Sequence, residues 1–130
     1  MAGWVRRIVE LLAAAVIVGV VAWGLSASWV PVRVGGMSMS PALVAGDLAL
    51  VRRDVPVTPG AVVLAREEGH AAVLHRVRAV NADGSLVMRG DANPVDDIEP
   101  VPRAAVRGTV EAVIPVGRLI GRWRHAPPVR

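Results

Sequence analysis

Cysteine and lysine are both absent from this 130-residue sequence, and so are tyrosine and phenylalanine. Without cysteine there is no disulfide scaffold, no zinc-thiolate site and no thiol nucleophile. Without lysine there is no lysine general base, no Schiff base and no P-loop lysine. The four tryptophans are the only aromatic residues, too few for a base-stacking platform on single-stranded nucleic acid. All fifteen basic residues are arginine, and they leave a formal net charge of +4. That excess favours anionic partners, but the arginines are dispersed along the chain instead of forming one basic stripe, which argues against nucleic-acid binding. Apolar residues make up 53% of the chain, above the usual ~45–50%, and much of the excess sits in one block near the N-terminus.

That block is Leu11–Val30, which contains no charged residue. As a helix it spans about 30 Å, the thickness of a bilayer hydrocarbon core. Arg6 and Arg7 precede it, and Trp4, Trp23 and Trp29 lie near its ends. The positive-inside rule and the interfacial preference of indole predict a single-pass anchor with the N-terminus in the cytoplasm. The competing reading is a cleaved signal peptide ending at Ser26-Ala27-Ser28, but signal-peptide apolar regions usually run only 7–15 residues. We therefore divide the chain into a cytoplasmic N-terminus (1–7), a transmembrane helix (8–30), an extracytoplasmic β domain (31–116) and a basic tail (117–130).

Beyond Pro31 the pattern changes to short Val-rich runs: Val32–Gly35, Asp47–Arg53, Ala61–Arg66, Ala71–Val80, Ser85–Arg89 and Val106–Val116. Gly- and Pro-containing turns separate them, and Asn81-Ala82-Asp83-Gly84 is the clearest hairpin signal. Six short strands without a long amphipathic helix predict a mainly β fold, a small distorted barrel or sandwich behind the helix. In the tail, Leu119, Ile120 and Trp123 share a face at helical spacing with Arg118 and Arg122 beside them. An interfacial helix and a frayed basic tail fit this equally, with His125-Ala126-Pro127-Pro128 trailing off.

With cysteine and lysine gone, nucleophilic catalysis requires Ser or Thr with a His or carboxylate base. Of the three histidines, His125 is in the tail, His70 follows the turn Glu67-Glu68-Gly69, and His75 sits inside an apolar strand. Gly35-Gly36-Met37-Ser38-Met39-Ser40-Pro41 begins shortly after the anchor and is too apolar for a solvated linker. Gly90-Asp91-Ala92-Asn93-Pro94-Val95-Asp96-Asp97-Ile98-Glu99 is acidic, but it lacks the central Gly and terminal Glu spacing of an EF-hand calcium loop. An acidic turn with Asx caps is its ordinary reading, and we assign no metal or cofactor to the chain.

Taken in order, these segments resemble type I signal peptidases, in particular the Ser-His-Asp branch found in archaea, the endoplasmic reticulum and some Gram-positive bacteria. Gly36-Met37-Ser38-Met39-Ser40-Pro41 is similar to the nucleophile box, and Ala45-Gly46-Asp47-Leu48 to the Gly-Asp box. Leu74-His75-Arg76-Val77 looks like the base box, where the better-known bacterial branch has Lys-Arg. Gly90-Asp91-Ala92-Asn93 with Asp96-Asp97 matches the last box. Each motif is weak alone, but four in order behind an anchor are a strong signal, and the absence of lysine independently selects the histidine branch.

The resemblance implies Ser38 as nucleophile, His75 as general base and Asp97 as the carboxylate that orients the imidazole, with Asp96 the rival for that role. It implies supporting roles for Gly36, Arg76 and Asp91, with Asp91 structural. The Ser38 N–H would bind the oxyanion. The endoplasmic-reticulum members often carry Ser at the position of Gly36, so a second oxyanion donor is left unassigned, and Ser40 is a further departure. A substrate would add as an extended strand, with Val32, Val34 and Val73 among candidates to line shallow pockets; Met39 is read as a core residue before a membrane contact.

The function implied is a membrane serine endopeptidase of a bacterial or archaeal cytoplasmic membrane, removing signal peptides from preproteins at small-x-small sites. Its partners would be preproteins, the lipid bilayer and other secretion components. With a histidine base, activity should fall as the pH drops through the ordinary imidazole range near ~6.5. A tethered, non-catalytic β domain that binds preproteins or a partner is the alternative from another class. A self-cleaving protease of the SOS-response class relies on a Ser-Lys pair, which this chain cannot form.

Overall fold

The computed structural model describes residues 2–124. Helix α1 (Ala2–Ser28) contains the apolar block up to Ser28 and packs none of that apolar stretch inside the protein. Its mean hydropathy of 2.4 over the most apolar window makes it long and apolar enough to cross a membrane. The helix ends two residues before the predicted boundary, and strand β1 (Trp29–Arg33) begins immediately. Pro31 explains the difference: it disfavours helical backbone at Val30 before it and has no N–H to donate.

The junction is tied on both sides. The Arg53 N–H donates to Ser28 O at 3.0 Å, and Arg53 Nη1 donates to Ala27 O at 3.4 Å. A guanidinium at a helix C-terminus meets carbonyls that lack intrahelical partners, in the sense the helix dipole favours. The Arg52 guanidinium lies 5.8 Å from the Trp29 ring centroid.

Five further strands follow: β2 (Leu48–Arg52), β3 (Val62–Ala65), β4 (Val73–Val80), β5 (Leu86–Arg89) and β6 (Val106–Ile114). Each falls on a predicted Val-rich run, and only β1 is displaced toward the helix. Asn81–Gly84 makes the expected turn between β4 and β5, closed by Asn81 N–H to Ser85 O at 2.8 Å. The strands form one antiparallel sheet in the order β1-β2-β6-β3-β4-β5. Among the described residues the edges β1 and β5 do not pair, so the mainly β expectation holds but the sheet is not closed into a barrel. Bulges at Leu50/Val51, Leu64/Ala65 and Val77/Ala79 bend it instead.

Two apolar clusters stabilise the sheet. One comprises Val63, Ala65, Val77, Leu86 and Met88; the other comprises Val34, Met39, Leu43 and Ala49, with Val62 and Leu74 against it. Strand β3 supplies residues to both, since alternate side chains leave a strand on opposite faces, and its unbroken Val-Val-Leu-Ala run fits burial on two sides. Met39 is 1% exposed, a core residue as expected.

Pro115 ends β6, and helix α2 (Val116–Arg124) follows, so this part of the tail is helical and not frayed. Leu119 and Ile120 are half exposed, but Arg118 turns back toward the loop between β1 and β2. The predicted trailing segment, with His125, lies outside the described residues.

Candidate active site

Two loops and one strand converge at the candidate site. Ser38 lies on the loop after β1, His75 near the start of β4 and Asp97 on the loop after β5. His75 Nδ1 is 2.6 Å from Asp97 Oδ2, and its Nε2 is 3.2 Å from Ser38 Oγ. A carboxylate only accepts, so Nδ1 carries a proton, and in the neutral imidazole Nε2 then presents its lone pair to the serine hydroxyl. The imidazole is mostly enclosed, with 12% of its side-chain surface exposed, against 27% for Asp97.

Backbone contacts hold these residues in place. Met39 and Leu43 anchor the Ser38 loop in the core. The Ala92 N–H donates to Ser38 O at 2.8 Å, and the Asp97 N–H donates to Met88 O at 2.8 Å. The loop 90–97 is thereby joined to the serine at one end and to β5 at the other. Gly90 is required at this contact: a Cβ there would sit 2.6 Å from Ser38 O and 3.0 Å from Ser38 Cβ. Gly36 faces open space, and the Ser38 N–H has no hydrogen-bond partner among the described residues.

The four carboxylates of the acidic segment divide by contact. Asp97 takes the histidine. Asp96 lies 3.8 Å from Arg78 Nε and 3.9 Å from Arg89 Nε, away from the imidazole, and so is not its partner. Asp91 is gripped by Arg76 in a fork, Nε to Oδ1 at 2.8 Å and Nη2 to Oδ2 at 2.6 Å, while Arg76 Nη1 donates to Gly60 O at 2.7 Å. Glu99 lines a hollow of about 310 Å³ beside His75 and Asp97, with Glu67 and His70.

The Arg76 hydrogen bonds hold the Asp91 carboxyl below its ordinary range, and Asp91 raises Arg76 in return. A carboxylate depressed on folding adds stability above its unfolded pKa of ~3.9, and that stability is lost as the pH falls through the lower folded value. The melting temperature should therefore drop below about pH 4, and Asp91→Asn should flatten that acid limb while lowering the melting temperature at pH 7. Thermal melts across pH 2–7 check it; an equally steep acid limb in the variant removes Asp91 as its source.

A groove of about 500 Å³ runs past Ser38 and His75, lined by Val32, Val34, Gly36 and Val73 among others. The three valines are those expected at shallow substrate pockets. Another hollow, about 950 Å³, lies between the β1–β2 turn and α2 and contains none of Ser38, His75 or Asp97.

Two residues outside the expected set also belong to this region. Asp47 is fully buried and accepts hydrogen bonds from Val44, Gly117 and Arg118 N–H groups. Arg118 reaches the serine loop, donating through Nη2 to Pro41 O and Ala42 O. Asp47 was visible only as half of a Gly-Asp box, and Arg118 only as charge beside an apolar helix face.

An open antiparallel sheet carrying serine, histidine and aspartate in a hydrogen-bonded line defines a domain of the serine-peptidase type. The chain belongs to the Peptidase S24-like family, whose model matches residues 24–110. No curated protein matches the chain. The family sits in a superfamily that includes Ser-Lys peptidases and relatives of the signal peptidases. It supports a serine-peptidase relationship in general, not the signal-peptidase branch in particular. In this chain, which has no lysine, the group beside the serine is His75.

Proposed function

We propose that the protein is a membrane-anchored serine endopeptidase that removes signal peptides from exported preproteins at small-x-small sites. The observation that carries this reading is the line Ser38 Oγ–His75 Nε2–Asp97 beside an open groove. Ser38 attacks the scissile carbonyl as His75 takes its proton, and Asp97 stabilises the imidazolium that results. The Ser38 N–H, without a partner among the described residues, is the donor for the developing oxyanion. His75 then returns the proton to the leaving amine, and water, activated by the same imidazole, hydrolyses the acyl-enzyme.

The preprotein specificity rests on position and shape. Ser38 follows α1 by ten residues, at most about 35 Å of extended chain, so the site stays near the surface of any bilayer α1 spans. Arg6 and Arg7 before the helix orient its N-terminus inward, which puts the groove on the side to which preproteins emerge. Val34 exchanges hydrogen bonds with the β2 side, giving its N–H to Asp47 O and accepting from Gly46 N–H. Strand alternation turns the neighbouring amides of Arg33 and Gly35 to the free edge, where an extended segment can add as a strand. The small aliphatic side chains along the groove suit small substrate residues.

Reconstituted in liposomes, the wild-type protein should release mature product from a model preprotein, and Ser38→Ala should release none. Cleavage by both would displace Ser38 as nucleophile, and cleavage by neither would favour the tethered binding domain.

A further inference from the structure

The geometry points to Arg118 as a positioning residue for the nucleophile, acting through the backbone of the serine loop and held in place by the buried carboxylate of Asp47. The inference rests on the peptidase reading above.

After Ser38 the chain makes a tight turn, with Ser40 N–H on Met37 O at 3.0 Å and Leu43 N–H on Met39 O at 2.9 Å. Pro41 and Ala42 lie at the exposed crown of that turn. Arg118 Nη2 donates to both of their carbonyls, at 2.9 Å to Pro41 and 2.6 Å to Ala42. The other end of the guanidinium faces Asp47, with Nε 3.3 Å from Oδ2. Asp47 Oδ2 also accepts the Val44 N–H at 3.2 Å, at the end of the same loop. Its Oδ1 accepts the Gly117 and Arg118 N–H groups at 3.1 and 3.4 Å, the first turn of α2. One carboxylate thus fastens the loop and the helix together, in the position where a helix N-terminus favours negative charge.

The helix cannot sit elsewhere without losing this fit. A Cβ on Gly117 would collide with Ala45 O, and one on Gly46 would lie 3.0 Å from Gly117 Cα. Two bare backbones meet there, which sets the depth of α2 and so the reach of Arg118. The core holds the loop from inside through Met39 and Leu43, and Arg118 holds it from outside. Between those two grips lies the hydroxyl that must stay within hydrogen-bond reach of His75.

The test uses the full-length protein in liposomes with the model preprotein, each variant assayed well below its own melting temperature. Arg118→Ala should lower kcat about 10- to 100-fold, the scale of a loop displacement near 1 Å, and leave KM within about twofold because the groove is untouched. Free guanidinium should restore part of the rate. Arg118→Lys keeps a cation beside Asp47, and with it the fold, but one ammonium cannot span Asp47 and two carbonyls, so its kcat should fall between the other two. Wild-type kcat in either variant would overturn the inference, as would a loss of rate in Arg118→Ala that guanidinium leaves unchanged. A wild-type protein that fails to cleave would sink the peptidase reading itself, a result separate from these.

Discussion

Asp97→Asn is expected to lower kcat for preprotein cleavage by about 10³- to 10⁴-fold with little change in KM. The carboxylate accepts the Nδ1 proton of His75 at 2.6 Å, which keeps the Nε2 lone pair directed at Ser38. An asparagine amide in its place can donate to Nδ1, which would favour the tautomer with the proton on Nε2. That tautomer cannot accept the serine proton, and the imidazolium would also lose its anionic neighbour. Asp96→Asn provides the control. Its carboxylate faces Arg78 and Arg89 across nearly 4 Å, partly exposed, where an ion pair contributes little, so kcat should stay within a few-fold of wild type. Steady-state cleavage by the two variants decides the matter, and comparable losses in both would remove the assignment of Asp97.

The second large effect is expected at a residue with no functional group. Gly90→Ala would put a methyl carbon 2.6 Å from Ser38 O and 2.9 Å from Asn93 Nδ2. Ser38 O is backbone and already accepts the Ala92 N–H, so the contact cannot be relieved by rotating a side chain. Either the serine loop or the loop 90–97 must shift by a fraction of an ångström or more, and the two carry opposite ends of the Ser-His-Asp line. A loss of about 100-fold in kcat is expected, with overpacking costing about 1–3 kcal/mol of stability. Parallel measurements of kcat and thermal melting test this. A variant that melts early but turns over normally would show that the contact serves the fold alone.

Much of this architecture can be read from the chain itself, because it is encoded locally. The apolar block, the six Val-rich runs and the Asn81–Gly84 turn each announce an element within a few residues. Where β1 begins depends on Pro31, a local signal outweighed in the sequence reading by the length of the apolar run before it. The open sheet was not legible, since closure depends on whether β1 and β5 meet, and no local pattern encodes that. Asp96 and Asp97 are adjacent and chemically identical, so only the fold of the loop shows which one reaches the histidine. The Asp47–Arg118 contact joins residues far apart in sequence, and arginine in a basic helix gives no sign that it turns inward.

The passage from α1 into β1 without a linker has a consequence for how substrate is met. The last carbonyls of the helix are bound by Arg53 and β1 is already paired into the sheet, so helix and sheet are joined without a linker. A domain on a flexible tether sweeps a volume of solution. On the proposed function, with α1 in a bilayer, this domain would keep its groove at nearly constant height and would meet an equally anchored preprotein by lateral diffusion. The encounter would then be a search in two dimensions, confined to chains that present their cleavage site at that height.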